Sequence, residues 1–144
     1  MDGYKDYIIE VPDFPEKGVS FKDISPLLAD QETFRSAIVD MGGHFDDDLP
    51  NYWIGIDSRG YIFASALAVY FGGGVICARK EGKTPGDKLS ETYNLEYGTA
   101  TLELQSGRGE VVIVDDVLAT GGTLQATNNL AKKAGYNIVG NLVA

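Results

Sequence analysis

A chain of 144 residues with 44% hydrophobic content fits one domain with a single substantial core and is too short for two independent ones. Its formal charge of −9, from 12 Lys and Arg against 21 Asp and Glu, argues against nucleic-acid or anionic-membrane partners, so an anionic ligand needs a local site. One cysteine, Cys77, rules out an intrachain disulfide and is expected as a reduced core thiol; no apolar run reaches the ~18 residues of a membrane span, and a cytoplasmic protein is expected.

Residues 1–28 lack a long periodic pattern, and "VPDFPEKGVSFKDISPLL" mixes prolines, a glycine and isolated apolar residues in the manner of an ordered loop that covers something. From Asp30, "DQETFRSAIVDM" sets Phe34, Ala37, Ile38 and Met41 at i, i+3, i+4 and i+7, which predicts an amphipathic helix capped by Asp30 and ended by Gly42 and Gly43. After the loop "FDDDLPN" comes a strand, "YWIGID". "GYIFASALAVYF" is apolar all round and predicts a helix buried against a sheet, with "FGGG" turning it into the strand "GVICAR". This βαβ order implies parallel strands joined by a right-handed crossover.

"RKEGKTPGDKLSE" is polar and carries Pro85, which predicts a mobile connection, and "TYNLEYGTATLEL" alternates about Gly98 as a β-hairpin does. "EVVIVD" is an unalternated apolar run, as expected of a strand covered on both faces. Gly121 to Ala134 predicts a helix with Leu124, Thr127, Leu130, Ala131 and Ala134 on one side and Gly135 as its stop, followed by a fourth strand in "NIVGNLVA".

Ligands of open parallel sheets bind at the carboxyl ends of the strands, and three charged turns fall there: Asp57–Gly60, Arg79–Lys83 and Asp115–Thr123. In the last, Ala119, Thr120, Gly121, Gly122 and Thr123 precede a helix, so backbone N–H groups, the helix dipole and two hydroxyls can hold a phosphate. No nucleotide P-loop or dinucleotide fingerprint is present, which leaves a phosphate monoester. Asp115 and Asp116 would repel that phosphate but accept hydrogen bonds from a sugar diol, so the turn fits a ribose 5-phosphate; a lone pair of acids would serve equally as a helix cap. Arg59, Arg79, Lys80 and Lys83, gathered at strand ends of an acidic protein, point to a second anion such as pyrophosphate, against the alternative of a solvated loop. His44 has no metal-ligand companions, and Trp53 reads as packing at a strand start.

"VVIVDDVLATGGT" resembles the signature of the type I phosphoribosyltransferase family, and "PDFPEKGVSFKDISPLL", "IGIDSRGYIF", "ARKEGKTPG" and "YNLEYGTATLEL" are similar in order and spacing to its adenine phosphoribosyltransferase members. The resemblance spans nearly the whole chain. It implies an α/β fold: a parallel-sheet core with helices on both faces, an N-terminal hood over residues 1–28 and a flexible β-hairpin lid over 80–104, in one domain, 1–144. It implies transfer of 5-phosphoribosyl from phosphoribosyl pyrophosphate to adenine, giving AMP and pyrophosphate, with Mg²⁺ held through substrate and water near Asp115 and Asp116 rather than by direct ligands.

The same resemblance assigns donor binding to Asp57, Ser58, Arg59, Arg79, Lys80, Lys83, Asp115, Asp116 and Ala119–Thr123, with Arg59 and the two acids also catalytic. It makes Glu96 an acid/base at the purine, Phe21 a stacking ring beside the backbones of Val19 and Lys22, and Tyr97 part of the lid. Ordinary packing is the plainer reading of Phe21, Tyr93 and Tyr97. A cis Asp57–Ser58 peptide and a homodimer follow from resemblance alone. Glu81 and Thr84 depart from the family's usual residues, and Glu81 sets an extra negative charge near the pyrophosphate path. Family members continue past the position of Ala144, so a missing C-terminal part is expected. Two other readings remain: transfer to hypoxanthine, guanine or xanthine, against which "GVSFKD" speaks, and a non-catalytic phosphoribosyl-pyrophosphate-binding regulator, which would lack the lid and Glu96.

Overall fold

The computed structural model describes residues 6–18, 20–95, 98–115 and 122–143, in two compact units, Met1–Asp40 and Met41–Ala144. Among the described residues no helix is long and apolar enough to cross a membrane.

The first unit is more regular than its sequence predicts. Strands β1 (Ile9–Val11) and β2 (Phe21–Asp23) pair antiparallel with Val11 opposite Phe21, and a short helix, α1 (Ser25–Ala29), follows. Strands of three residues and a helix of five are too short to reveal a period, which is why this segment reads as loop. Local hydrogen bonds hold it: the Gly18 N–H donates to Asp13 Oδ1 at 2.8 Å, and Asp23 Oδ1 accepts from the N–H and hydroxyl of Ser25 at 2.9 and 2.6 Å. Phe14–Pro15 is cis. Helix α2 (Gln31–Gly42) starts where expected, with Asp30 Oδ2 accepting the Thr33 N–H at 2.9 Å and its hydroxyl as well. The hydroxyl first, then the N–H, hold the Asp30 carboxyl below the usual carboxylate range. Ala37 and Ile38 are buried, and Phe34 and Met41 are half-buried on the same stripe.

The second unit runs β3 (Tyr52–Ile56), α3 (Arg59–Phe71), β4 (Gly74–Lys80), β5 (Leu89–Leu95), β6 (Gly98–Leu104), β7 (Gly109–Asp115), α4 (Gly122–Ala134) and β8 (Tyr136–Val143). They form one sheet in the order β5-β6-β4-β3-β7-β8. β4, β3, β7 and β8 are mutually parallel, as the βαβ pattern implies, and the β5–β6 hairpin extends the sheet antiparallel at β4. Val111, Val112, Ile113 and Val114 are fully buried, which accounts for the missing alternation in β7; each contributes about 1.5–3 kcal/mol of transfer free energy. On one face Ile54, Ile56, Val111 and Ile113 pack in a cluster with Leu130, Ala131 and Ala134 of α4. The other face carries α3, which lies so close that a Cβ at Gly55 would stand 3.0 Å from the Ala64 Cβ. Helices thus cover both faces, as expected.

Helix α3 packs on the sheet as expected, burying Gly60, Phe63, Ala64 and Leu67, but leaves Ile62, Val69 and Tyr70 exposed, Val69 at 89%. One expectation is corrected. Cys77 is only half-buried: β6 pairs with β4 at Arg79 and Lys80 alone, which leaves the preceding β4 residues with β3 as their one paired neighbour. Trp53 is fully buried, and its indole N–H donates to the Gly72 carbonyl at 2.8 Å just past the end of α3. Gly135 stops α4 at φ +109°, where a Cβ would also collide with the Gly107 carbonyl.

Candidate active site at the carboxyl ends of the strands

Three of the sheet's parallel strands end side by side, and their ends carry the charged residues. Ile56 pairs with Ala78 and Gly55 with Val114, so the residues that follow, Asp57, Arg79 and Asp115, share one edge of the sheet. The turn after β3 begins with a cis Asp57–Ser58 peptide, as expected. It is anchored by the Asp57 N–H, which donates to Ala78 O at 3.0 Å, and by the Tyr61 N–H, which donates to Ser58 O at 3.2 Å. Gly60 brings the start of α3 against β7: a Cβ there would meet the Val114 carbonyl at 2.6 Å and lie 3.5 Å from the Asp115 Cα. Arg59 and Asp57 are half-buried and Ser58 is exposed at this junction.

The turn after β4 is tied to the first one. Asp57 Oδ2 accepts the Lys80 N–H at 3.2 Å. Arg79, Lys80, Glu81 and Lys83 are all exposed, so in this acidic chain a group of cations stands in solvent beside the β3 turn. The Lys83 N–H donates to Lys80 O at 3.3 Å, and Arg79 Nη1 reaches Lys83 O at 3.5 Å. The first residues of this segment are bound to the hairpin base. The Glu81 N–H donates to Thr101 O at 3.1 Å, and Glu103 Oε1 accepts the N–H groups of Gly82 and Thr84 at 3.2 Å each.

At β7, Asp115 is the half-buried last residue of the strand, and α4 begins at Gly122 and Thr123. The Thr123 carbonyl accepts the hydroxyl of the buried Thr127 at 2.7 Å, which fastens the first turn of the helix. Asp116, Ala119, Thr120 and Gly121 lie outside the described residues, as do Val19, Glu96 and Tyr97. In the first unit, Phe21 and Lys22 stand on β2, with the Phe21 ring edge-on to Phe14 at a centroid distance of 5.3 Å. The structure therefore brings together Asp57, Ser58, Arg59, Arg79, Lys80 and Asp115, with Lys83 four residues along the same turn as Arg79.

Two residues at this edge were missed by the sequence reading. Tyr61 donates its hydroxyl to Ala78 O at 3.2 Å; burial first, then the Asp57 carboxylate and Cys77, push its phenol up, against a smaller pull from Arg79, so it stays neutral. Glu103 is 4% exposed, although the alternation of "TATLEL" reads it as an outward carboxylate between two inward leucines. Burial works to raise its carboxyl, but the Gly82 and Thr84 N–H groups, the Thr84 hydroxyl and Lys88 together outweigh burial and hold it below the usual range. The Thr84 hydroxyl is near enough to contribute to that field but makes no hydrogen bond of ordinary geometry. The one available signal was position: Glu103 pairs with Arg79 in the β4–β6 ladder.

A family model described as a phosphoribosyl transferase domain matches residues 44–144. An adenine phosphoribosyltransferase of Natranaerobius thermophilus is 44% identical over 140 residues, spanning 94% of this chain and 82% of that protein. Among solved structures, adenine phosphoribosyltransferase from Rhodothermus marinus superimposes with a TM-score of 0.91 at 42% identity, over 99% of this chain and 83% of its own. The Giardia lamblia enzyme complexed with 9-deazaadenine does so with a TM-score of 0.91 at 35% identity, over 99% and 82%.

Proposed function

The chain belongs to the adenine phosphoribosyltransferase family, and on that premise we propose how its residues divide the work of the reaction. The reaction transfers the 5-phosphoribosyl group of phosphoribosyl pyrophosphate to adenine and yields AMP and pyrophosphate. The bond from the ribose anomeric carbon to pyrophosphate breaks, the purine N9 bonds to that carbon, and N9 loses its proton.

Breaking the sugar–pyrophosphate bond spreads negative charge over the leaving group and positive charge over the ribose ring. Arg59, Arg79, Lys80 and Lys83 neutralise the first. What supports this is the convergence of the β3 and β4 turns, fixed by the hydrogen bond from Lys80 N–H to Asp57. Each well-placed cation contributes on the order of 3 kcal/mol to the developing charge. Asp115 and Asp116 hold the ribose diol and face the sugar cation, while Ala119–Thr123 take the 5-phosphate at the start of α4. Glu96 moves the purine proton, Tyr97 belongs to the lid, and Phe21, with the backbones of Val19 and Lys22, is assigned to the base. Exclusion of water matters because water would otherwise capture the sugar cation.

Asp115 offers hard carboxylate oxygens at a strand end, which fit Mg²⁺. Mg²⁺ would be held through the donor and water near Asp115 and Asp116 rather than by direct carboxylate ligands. When bound it lowers the charge of the pyrophosphate. A cytoplasmic homodimer is part of the same proposal and rests on resemblance.

The observation that carries the reading is the junction of Asp57, Arg59, Lys80 and Asp115 at one sheet edge in a chain of this family. It is tested by incubating the protein with Mg²⁺, phosphoribosyl pyrophosphate and adenine, hypoxanthine, guanine or xanthine in turn. AMP formation well above any other nucleotide is expected. A preference for another base would support the second purine reading, and no nucleotide from any base would support a binding-only module.

A further inference from the structure

The turn that carries Lys80 and Lys83 is exposed, yet its backbone is gripped at both ends by carboxylates. Asp57 accepts the Lys80 N–H, and Glu103 accepts those of Gly82 and Thr84. Glu103 is the only buried acid among the described residues, flanked on β6 by the buried Leu102 and Leu104. A carboxylate is costly to bury unless it is hydrogen-bonded, and here the donors come from a turn rather than from a cationic side chain. Around it, Lys88 Nζ donates to Thr84 O at 3.1 Å and Gln105 Nε2 to Pro85 O at 3.1 Å, which fastens the same segment from its far side. Gly82 sits at φ +84°, a left-handed conformation that lets two N–H groups two residues apart meet one oxygen.

We propose that Glu103 is a positioning residue for donor binding: through the N–H groups of Gly82 and Thr84 it fixes the turn that presents Lys80 and Lys83 to pyrophosphate. This rests on reading that turn as the pyrophosphate site. Because those two N–H groups are committed to Glu103, they are not available as a backbone cradle, and the turn holds its anion with side chains. Glu103 touches no substrate; its removal loosens the turn and weakens the donor while leaving the base unaffected.

The test compares Glu103→Ala and Glu103→Gln in full-length protein, by AMP formation and by amide exchange of the ligand-free protein. In Glu103→Ala the donor KM should rise about tenfold with adenine KM unchanged, and Gly82 and Thr84 should lose exchange protection. Glu103→Gln keeps a carbonyl acceptor in place and should recover most of the loss, to within about threefold of wild type. If the alanine variant fails to fold, the glutamine variant decides: a donor KM equal to wild type with both amides unprotected overturns the proposal. So does an unchanged donor KM in a folded Glu103→Ala, or equal rises in both KM values. Absence of AMP from the wild-type protein would instead refute the reading of the reaction, before any variant is compared.

Discussion

Gly60 is where fold and site constrain each other most tightly, and Gly60→Ala measures that constraint. The added Cβ would stand 2.6 Å from the Val114 carbonyl, against an ordinary contact of 3.4 Å or more, so one side must retreat by roughly 0.8 Å. Val114 cannot: it lies in β7 between β3 and β8, paired with Gly55 and Leu142. The start of α3 moves instead, and with it Ser58 and Arg59. Overpacking of this kind costs about 1–3 kcal/mol, and the better helix propensity of alanine returns up to about 1 kcal/mol. The net, between about zero and 3 kcal/mol, lowers the melting midpoint by up to about 9 °C in a chain of this size. A displacement near 1 Å of a charge-neutralising group lowers kcat/KM for the donor by about tenfold to a hundredfold. Gly43→Ala is the control, since nothing lies within 4 Å of its Cβ and its φ is not positive. Thermal denaturation and steady-state AMP formation read both effects. If Gly60→Ala behaves like Gly43→Ala in both assays, the close approach of α3 to β7 does not position Arg59.

Further outcomes follow from single groups. Thr84→Val removes a buried hydroxyl that lacks a geometric partner and should leave stability unchanged or raise it by up to about 1 kcal/mol, as read by chemical denaturation; a clear loss would mean that the hydroxyl is bonded to Glu103. Thr123→Ala should raise the donor KM, and Glu96→Gln should mainly lower kcat; equal, negligible effects would give both a structural role. The depressed carboxyl of Glu103 contributes stability that is complete above its ordinary value of 4.5 and is lost as pH falls through the lower folded value. Melting midpoints taken from neutral pH down through 4.5 should therefore fall more steeply for wild type than for Glu103→Gln, and parallel curves would contradict that linkage.

The parts of the fold that were legible in the sequence are those where one physical demand dominates. β7 announces itself because both its faces are buried, α2 because Asp30 caps a clear 3.6-residue stripe, and α4 because Gly135 must stop it. The order of strands and helices then placed three charged turns at one sheet edge. What was hidden depends on neighbours distant in sequence. Glu103 looks like a solvated strand carboxylate until β4 brings the Gly82–Thr84 turn over it. Cys77 looks like core until β6 is seen to pair with β4 at only two residues. α3 is apolar on every side, and no periodicity could tell its exposed Val69 from its buried Leu67. In the first unit, β1 and β2 were invisible because three residues carry no period.

The location of the donor site is tested most directly by following backbone amide resonances of the full chain as Mg²⁺ and phosphoribosyl pyrophosphate are added. The largest shifts should fall together at residues 57–60, 79–84 and 115–123, the carboxyl ends of β3, β4 and β7 with the turns that follow. The opposite strand ends, at Asn51, Gly74, Gly109 and Tyr136, should stay near their starting positions. Saturable binding with the largest shifts at those opposite ends, or no shifts at any of the three turns, would contradict a phosphoribosyl-pyrophosphate site built from Asp57, Arg59, Arg79, Lys80, Lys83 and Asp115.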